Sequence, residues 1–285
     1  MQKQLTFALD RAKNIPSKFR LPTYLLLFTL TLLSACSSVP SQNKRNVQIA
    51  AYPVSSALLT KNNTASARKI LFIGNSILYW HEVPKVFTSV IAQLHPESPT
   101  KIAYVVGNSY SLKDHWDAGT ALEFINKKGP WDYVILQDHT GTEFDQTPEE
   151  SPYITAFINA IRQVHAQPLL FQTYVDDVSK AADSEQKFQA LADTHLVPLL
   201  PVGRWWNHLR RFPGIELNDP PGGHHPSLLG SYLIALVTVL TVDNNQLPVS
   251  VPKTLRYENI DAKSIQLLNK VILEDSRKST FAVVK

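Results

Sequence analysis

From Lys69 onward, short apolar runs alternate with longer segments in which apolar residues recur every three or four positions. The short runs are typical of buried parallel strands, and the longer segments are typical of amphipathic helices. The runs that predict strands are KILFIG (69–74), KIAYVVG (101–107), WDYVILQ (131–137), QPLLFQTY (167–174) and LVPLLPVG (196–203). The segments that predict helices are 83–94, 111–129, 149–166, 184–195, 226–242 and 261–276.

Strands that alternate with helices predict the α/β class. We expect one domain over 68–285, built as a three-layer α/β/α, doubly wound, mostly parallel sheet of five strands. Residues 36–67 are rich in Ser, Asn and Ala and lack sustained periodicity, which predicts a flexible tether. In sheets of this kind substrate sites form at the carboxyl ends of the strands, so those ends are the places to look for chemistry.

Charge is concentrated at the amino terminus. The chain has 28 Lys and Arg against 24 Asp and Glu, and residues 1–35 hold five of the basic and one of the acidic residues, so the remainder is balanced. No basic stripe accompanies the aromatic residues, and nucleic acid is therefore not an expected partner.

Residues 1–35 read as an export signal that ends at the only cysteine of the chain, Cys36. A basic segment up to Arg20 precedes an apolar run that is short for a membrane span, and small residues stand just before Cys36. This arrangement resembles a bacterial lipobox, which implies lipidation of Cys36 and anchoring in the cell envelope; Ser37 favours the outer membrane. The alternatives are an ordinary signal peptide with an incidental cysteine and an amino-terminal anchor helix.

Three strand ends carry candidate catalytic groups. Strand one ends in Gly74-Asn75-Ser76, which places Ser76 at a helix entrance, where free backbone N–H groups favour a nucleophile. Alternatively Ser76 is only a helix cap. Gly107 ends the second strand and allows close approach of its N–H to a substrate, and Gln137 ends the third with a side-chain donor.

The stretch DPPGGHHPS, residues 219–227, precedes the most apolar predicted helix. Pro226 holds His225 extended and suits the first turn of that helix. Successive side chains of an extended chain point in different directions, so only one of His224 and His225 can face Ser76. The alternative is a His-rich structural turn.

Together these residues resemble the blocks of the SGNH hydrolase superfamily, the GDSL-type esterases and lipases, over roughly residues 69–242. Gly74-Asn75-Ser76 is similar to the first block, Gly107 to the second-block glycine, and ILQD, at 135–138, to the third block, with Gln137 at the usual asparagine. GGHHP, at 222–226, is similar to the last block and aligns His225 with its histidine.

The resemblance implies a flavodoxin-like fold and a serine esterase in which Ser76 attacks and His225 is the base. The N–H groups of Ser76 and Gly107 and the Gln137 amide would form the oxyanion hole. It implies no metal and no organic cofactor. For an envelope protein it implies small-molecule or glycan esters, with acetyl groups on carbohydrate favoured. Tryptophan side chains offer stacking faces for sugars or belong to the core: Trp80, Trp116, Trp205 and Trp206.

One departure from the family pattern concerns the orienting acid, because Gly222 stands where the family has aspartate. Asp219 lies three residues earlier, and a bulge in the intervening segment would return it to the His225 ring. The alternatives are a Ser-His dyad and a pairing of Asp219 with His224. A different class of function also stays open: a catalytically degenerate lipoprotein that acts as an envelope-binding module.

Overall fold

The computed structural model describes residues 47–53, 67–138, 152–243, 257 and 259–278. In this part of the chain the sheet has the strand order β1-β3-β2-β4-β5-β6. Strands β2 to β6 pair in parallel, which confirms the predicted five-stranded parallel sheet. The strands are β1 Val47–Pro53, β2 Arg68–Gly74, β3 Thr100–Gly107, β4 Tyr133–Leu136, β5 Gln167–Phe171 and β6 Leu199–Leu200.

Helices cover both faces of the sheet, as the α/β/α prediction requires. In the described residues they are α1 Ser76–Tyr79, α2 Val83–Leu94, α3 Leu112–Ala118, α4 Thr120–Lys127, α5 Pro152–Gln163, α6 Ala181–His195, α7 Val202–Leu209, α8 Leu228–Val242 and α9 Ala262–Lys278. None of these described helices is long and apolar enough to cross a membrane.

Two hydrophobic cores lie on opposite faces of the sheet because side chains alternate along each strand. In β2, Ile70 and Phe72 pack with α2, α7, α8 and α9, whereas Leu71 and Ile73 pack with α3 to α6. Helix α8 is apolar on all sides and almost wholly buried, because it packs against α2, α7 and α9. The carboxyl ends of the parallel strands are therefore held in place by two separate hydrophobic cores, one on each face of the sheet.

Two predicted elements differ from the structure. The helix expected over 111–129 is two helices, α3 and α4, because Gly119 adopts the left-handed conformation (φ 73°) between them. The strand expected over 196–203 is reduced to β6, and the chain then continues directly into α7. An unbroken apolar run cannot by itself distinguish a buried strand from a buried helix, which explains the second difference.

Strand β1 corrects the predicted boundaries of the tether. Residues 47–53 were expected within the tether of 36–67, but they pair antiparallel with β3, from Val47 opposite Gly107 to Pro53 opposite Lys101. Pairing satisfies backbone groups that β3 would otherwise expose along the sheet edge. The leader, Cys36, the rest of the tether and the start of the helix expected at 149–166 lie outside the described residues.

Candidate active site

Ser76 begins helix α1 immediately after β2 and is partly exposed. Asn75 forms the amino-terminal cap: its Oδ1 accepts a hydrogen bond from the Ile77 N–H (3.1 Å), and its Nδ2 donates to the Tyr110 carbonyl (3.3 Å). A capped, very short helix holds the serine at the carboxyl edge of the sheet. The sequence prediction of a strand-to-helix corner at this point is confirmed.

Gln137, directly after β4, supports this corner through hydrogen bonds. Its Oε1 accepts a hydrogen bond from the Asn75 N–H (2.8 Å), and its Nε2 donates to the Asp138 carbonyl. A Cβ at Gly74 would lie 2.4 Å from the same Oε1, so only glycine leaves room for the amide. The Gln137 side chain has no exposed surface. As placed, it braces the turn before Ser76 and does not present the oxyanion donor expected from the sequence.

Gly107 ends β3 beside the serine corner, since β2 and β3 are adjacent and Gly74 pairs with Val106. The Tyr110 ring packs over Gly107, where a Cβ would lie 2.4 Å from the ring. The next residue, Asn108, is exposed, and its Oδ1 accepts a hydrogen bond from the Tyr79 hydroxyl on α1 (3.2 Å). The two strand ends are thus brought together as predicted.

His225 reaches the serine corner through an aromatic contact. Its ring stacks on the Trp80 ring with centroids 4.0 Å apart and planes 11° apart. The Trp80 N–H donates to the Ser76 carbonyl (2.9 Å), so Trp80 lies one helical turn beyond the serine. Burial, and secondly the charge of His224, lower the pKa of His225 below its ordinary value.

Asp219 is close to His225 along the backbone, but its carboxylate is directed elsewhere. The Asp219 N–H donates to the His225 carbonyl (3.0 Å), whereas its Oδ2 lies 3.3 Å from Nε2 of His81. Within the described part of the chain, the His225 ring forms no hydrogen bond with a carboxylate. The predicted contact between Asp219 and the His225 ring is therefore not formed, because the 219–225 turn joins the two residues through backbone groups.

His224 has a carboxylate partner that the sequence did not indicate. Its Nδ1 is hydrogen-bonded to Asp176, which follows β5, and the Tyr174 hydroxyl donates to the His224 carbonyl (2.8 Å). The alternative pairing of Asp219 with His224 is accordingly not observed. An aspartate just beyond a strand end was the only sequence signal for Asp176.

His115 is a second residue that sequence reasoning missed. It is fully buried under the serine corner, and its Nε2–H donates to the Gly74 carbonyl (2.7 Å). Burial lowers the pKa of His115 below its ordinary value, which favours the neutral imidazole. Its effect on the site is indirect, since it fixes the carbonyl of the last residue of β2.

The candidate sugar-stacking tryptophans divide between core and surface. Trp205 and Trp206 are buried, and Trp116 is partly buried against Phe157. Trp80 is 42% exposed and lies at the site. Only Trp80 among these four therefore offers an accessible face next to Ser76.

No protein-family model matches the chain, and no curated protein sequence matches it. Solved structures do match. A protein of Slackia heliotrinireducens assigned to the SGNH hydrolases is 20% identical, with a TM-score of 0.51 over 62% of this chain and 100% of its own. The acetylxylan esterase Axe2 of Geobacillus stearothermophilus is 12% identical, with a TM-score of 0.52 over 66% of this chain and 100% of its own. A variant of Axe2, described as an acetyl-xylooligosaccharide esterase, gives the same values. The chain thus has the fold of SGNH hydrolases.

Proposed function

We propose that this chain is an SGNH-type ester hydrolase in which Ser76 is the nucleophile and His225 the general base. The observation that carries the proposal is the stack between Trp80 and His225, because it holds the imidazole against the short helix that Ser76 begins. The fold supports the proposal, since β2 and β3 are adjacent and the Trp80–His225 stack brings the 217–227 loop to the helix that follows β2.

In the proposed reaction, His225 removes the Ser76 hydroxyl proton while the serine oxygen attacks the ester carbonyl. His225 then donates that proton to the departing alcohol. Water then attacks the acyl-enzyme while His225 accepts its proton, and His225 returns that proton to the Ser76 oxygen as the carboxylic acid departs. The N–H groups of Ser76 and Gly107 remain the expected donors to the oxyanion, each of which typically contributes about 3 kcal/mol.

For the substrate we propose short acyl esters, acetyl groups on carbohydrate first. Two of the matching structures are described as acetylxylan and acetyl-xylooligosaccharide esterases, and Trp80 offers a partly exposed aromatic face beside the serine. A panel of acetylated xylo-oligosaccharides and p-nitrophenyl esters of increasing chain length tests this. We expect kcat/KM to fall as the acyl chain lengthens; preference for long chains would contradict the proposal.

We further propose that Cys36 is lipidated and anchors the chain in the bacterial outer membrane, with the ester substrate in the envelope or outside the cell. The support is the sole cysteine directly after an apolar run with small residues. Metabolic labelling with an alkyne fatty acid tests this proposal. We expect labelling of the wild-type chain and none of Cys36→Ser; equal labelling of both would contradict it.

A fluorophosphonate probe tests for an activated serine. We expect labelling of the wild-type chain and of Ser98→Ala, a control serine at the opposite end of the sheet. Labelling and p-nitrophenyl acetate hydrolysis should disappear in Ser76→Ala while its far-ultraviolet circular dichroism stays unchanged. A wild-type chain that is folded but unlabelled would instead support the envelope-binding module.

A further inference from the structure

His225 occupies an unusual position for a general base. A histidine base is ordinarily oriented by a carboxylate on its other ring nitrogen. Here the nearest candidate, Asp219, directs its carboxylate to His81, and Asp176 is bonded to His224. Some other contact must therefore define the plane of the His225 ring if it is to act on Ser76.

The geometry points to Trp80 as a positioning residue that orients His225 by ring stacking in place of a carboxylate. This inference rests on the proposed function, because it assigns the residue that prepares the base for that reaction. Trp80 does not itself take a proton. It acts through the face of its indole, which lies 4.0 Å from the imidazole at 11°.

The stack is built on the same helical turn as the nucleophile. Residues four apart lie on one side of a helix, and the Trp80 N–H closes the turn on the Ser76 carbonyl at 2.9 Å. This hydrogen bond holds the backbone of Trp80 one helical turn from Ser76. The indole that stacks on the imidazole is therefore carried by the same short helix as the serine.

The backbone of His225 is fixed independently of its ring. Its carbonyl accepts the Asp219 N–H at 3.0 Å, and two residues later the Ser227 N–H donates to the Leu217 carbonyl at 2.7 Å. With the backbone held, only the side-chain torsions of His225 remain free. Stacking on the Trp80 indole restricts rotation about these torsions. Both ring nitrogens stay at the edge of the stack, where they can exchange protons.

A second contact joins the same two segments. His81, directly after Trp80, approaches the Asp219 carboxylate at 3.3 Å, so successive residues of one segment contact both ends of the 219–225 turn. Both side chains are substantially exposed, and the pair alone contributes little stability. It nevertheless keeps the turn against the helix end on which the stack depends.

An indole face also suits the charge change during catalysis. The base becomes an imidazolium after it takes the Ser76 proton, and an indole attracts a cation over its face. The stack can thus persist in both protonation states, as a carboxylate contact does. The charged or titratable groups around the ring are His224 with its partner Asp176, and Asp219 with His81.

Kinetics of Trp80 variants test the inference. We expect Trp80→Ala and Trp80→Leu to lower kcat roughly 10- to 100-fold, because a loosely oriented base spends little time in line with Ser76. Trp80→Phe keeps a ring face and should retain kcat within about tenfold. Trp116→Phe, a substitution in the core on the other face of the sheet, is the matched control and should leave kcat unchanged.

The pH profile gives a readout that a merely structural effect would not move. Burial is the main cause of the low pKa of His225, so the loss of water around the ring outweighs the attraction of the indole face for the imidazolium, and Trp80→Ala exposes the ring to water. The acid limb of kcat/KM should therefore move to higher pH in Trp80→Ala and much less in Trp80→Phe. An unshifted limb together with kcat equal to wild type would overturn the inference.

Fluorescence tests the contact without any catalysis. A protonated imidazole stacked on an indole quenches its emission, so the difference between wild-type and Trp80→Phe spectra should decrease as His225 is protonated. We expect this pH dependence to disappear in His225→Gln. A pH-independent difference spectrum would overturn the stack even if fluorophosphonate labelling is normal. Absent labelling with intact quenching would overturn the proposed function instead.

Discussion

In the turn before Ser76, the buried side-chain amide of Gln137 holds the backbone in place. Gln137 Oε1 accepts the Asn75 N–H, and the glycine at 74 leaves the space that this amide fills. A buried N–H that loses its acceptor carries the full cost of desolvation. The serine corner therefore depends on a residue from the neighbouring strand end, that of β4.

Gln137→Leu should therefore lower the free energy of unfolding by about 1–3 kcal/mol, because the Asn75 N–H is left without an acceptor. Urea denaturation followed by circular dichroism measures this loss. We expect kcat to fall as the corner loosens. Unchanged stability with a large loss of kcat would indicate instead that the amide acts directly on the oxyanion.

His224 should tune the pH dependence of the reaction. Its charge is the second cause, after burial, of the lowered pKa of His225. A general base must be neutral, so the acid limb of wild-type kcat/KM should lie below the ordinary histidine value of about 6.5. His224→Gln should move that limb toward higher pH. The outcome that contradicts this is a limb that stays in place or moves lower.

The positions of Ser76 and His225 in the fold could be predicted because their signals are local: a glycine turn after a strand, and a histidine held before a proline. The supporting contacts could not, because each joins residues far apart in the chain. Gln137 and Asn75 are 62 positions apart, His224 and Asp176 are 48 apart, and His115 and Gly74 are 41 apart. Only the fold decides which of these polar residues meet.

Among the elements, the start of α8 controls the loop that presents His225. Ser227 caps this helix by accepting the Gly230 N–H (3.0 Å), and its hydroxyl donates to the Glu216 carbonyl (2.8 Å). One hydroxyl thus joins both ends of the 217–227 loop to the most deeply buried helix. The loop is anchored to the core although it lies at the surface.

Ser227→Ala removes both hydrogen bonds and should lower the free energy of unfolding by about 1 kcal/mol, a typical value for a lost helix cap. Thermal melting measures the change. Ser227→Thr preserves the hydroxyl and should stay close to wild type. If the two variants melt at the same temperature, the hydroxyl does not anchor the loop.

Element prediction succeeded where apolar periodicity was interrupted by glycine or polar residues, as at β2, β3 and α2. It failed at 196–203, where an unbroken apolar run continues from β6 into the first residues of α7. It also missed β1, whose short run stands in a polar context and pairs only because the edge of β3 is available. Such pairing depends on a distant partner strand.

At the scale of the whole molecule, an ion pair closes the sheet end opposite the site. Arg68 Nη1, at the start of β2, lies 2.7 Å from Asp243 Oδ1, just beyond α8 and 175 positions away in the chain. The Asp243 side chain is only 8% exposed. The pair therefore links β2 to the end of α8, far from the candidate active site.

Asp243→Asn should lower the free energy of unfolding by about 1.5–3 kcal/mol, the range for hydrogen bonds to charged groups, and leave kcat unchanged. Chemical denaturation and p-nitrophenyl acetate turnover on the same preparation separate the two effects. A loss of kcat in the folded variant would show that the two ends of the sheet are coupled.

If the chain is anchored through Cys36 as proposed, the edge strand β1 limits how far the domain can stand from the membrane. If Cys36 carries the lipid, only residues 37–46 separate it from β1. A fully extended chain of that length spans at most about 40 Å, against about 110 Å for the whole segment from 36 to 67. The candidate active site could then reach only substrates close to the membrane that anchors the chain. Lengthening the segment before Val47 should let the enzyme hydrolyse immobilised esters at a greater distance from that membrane.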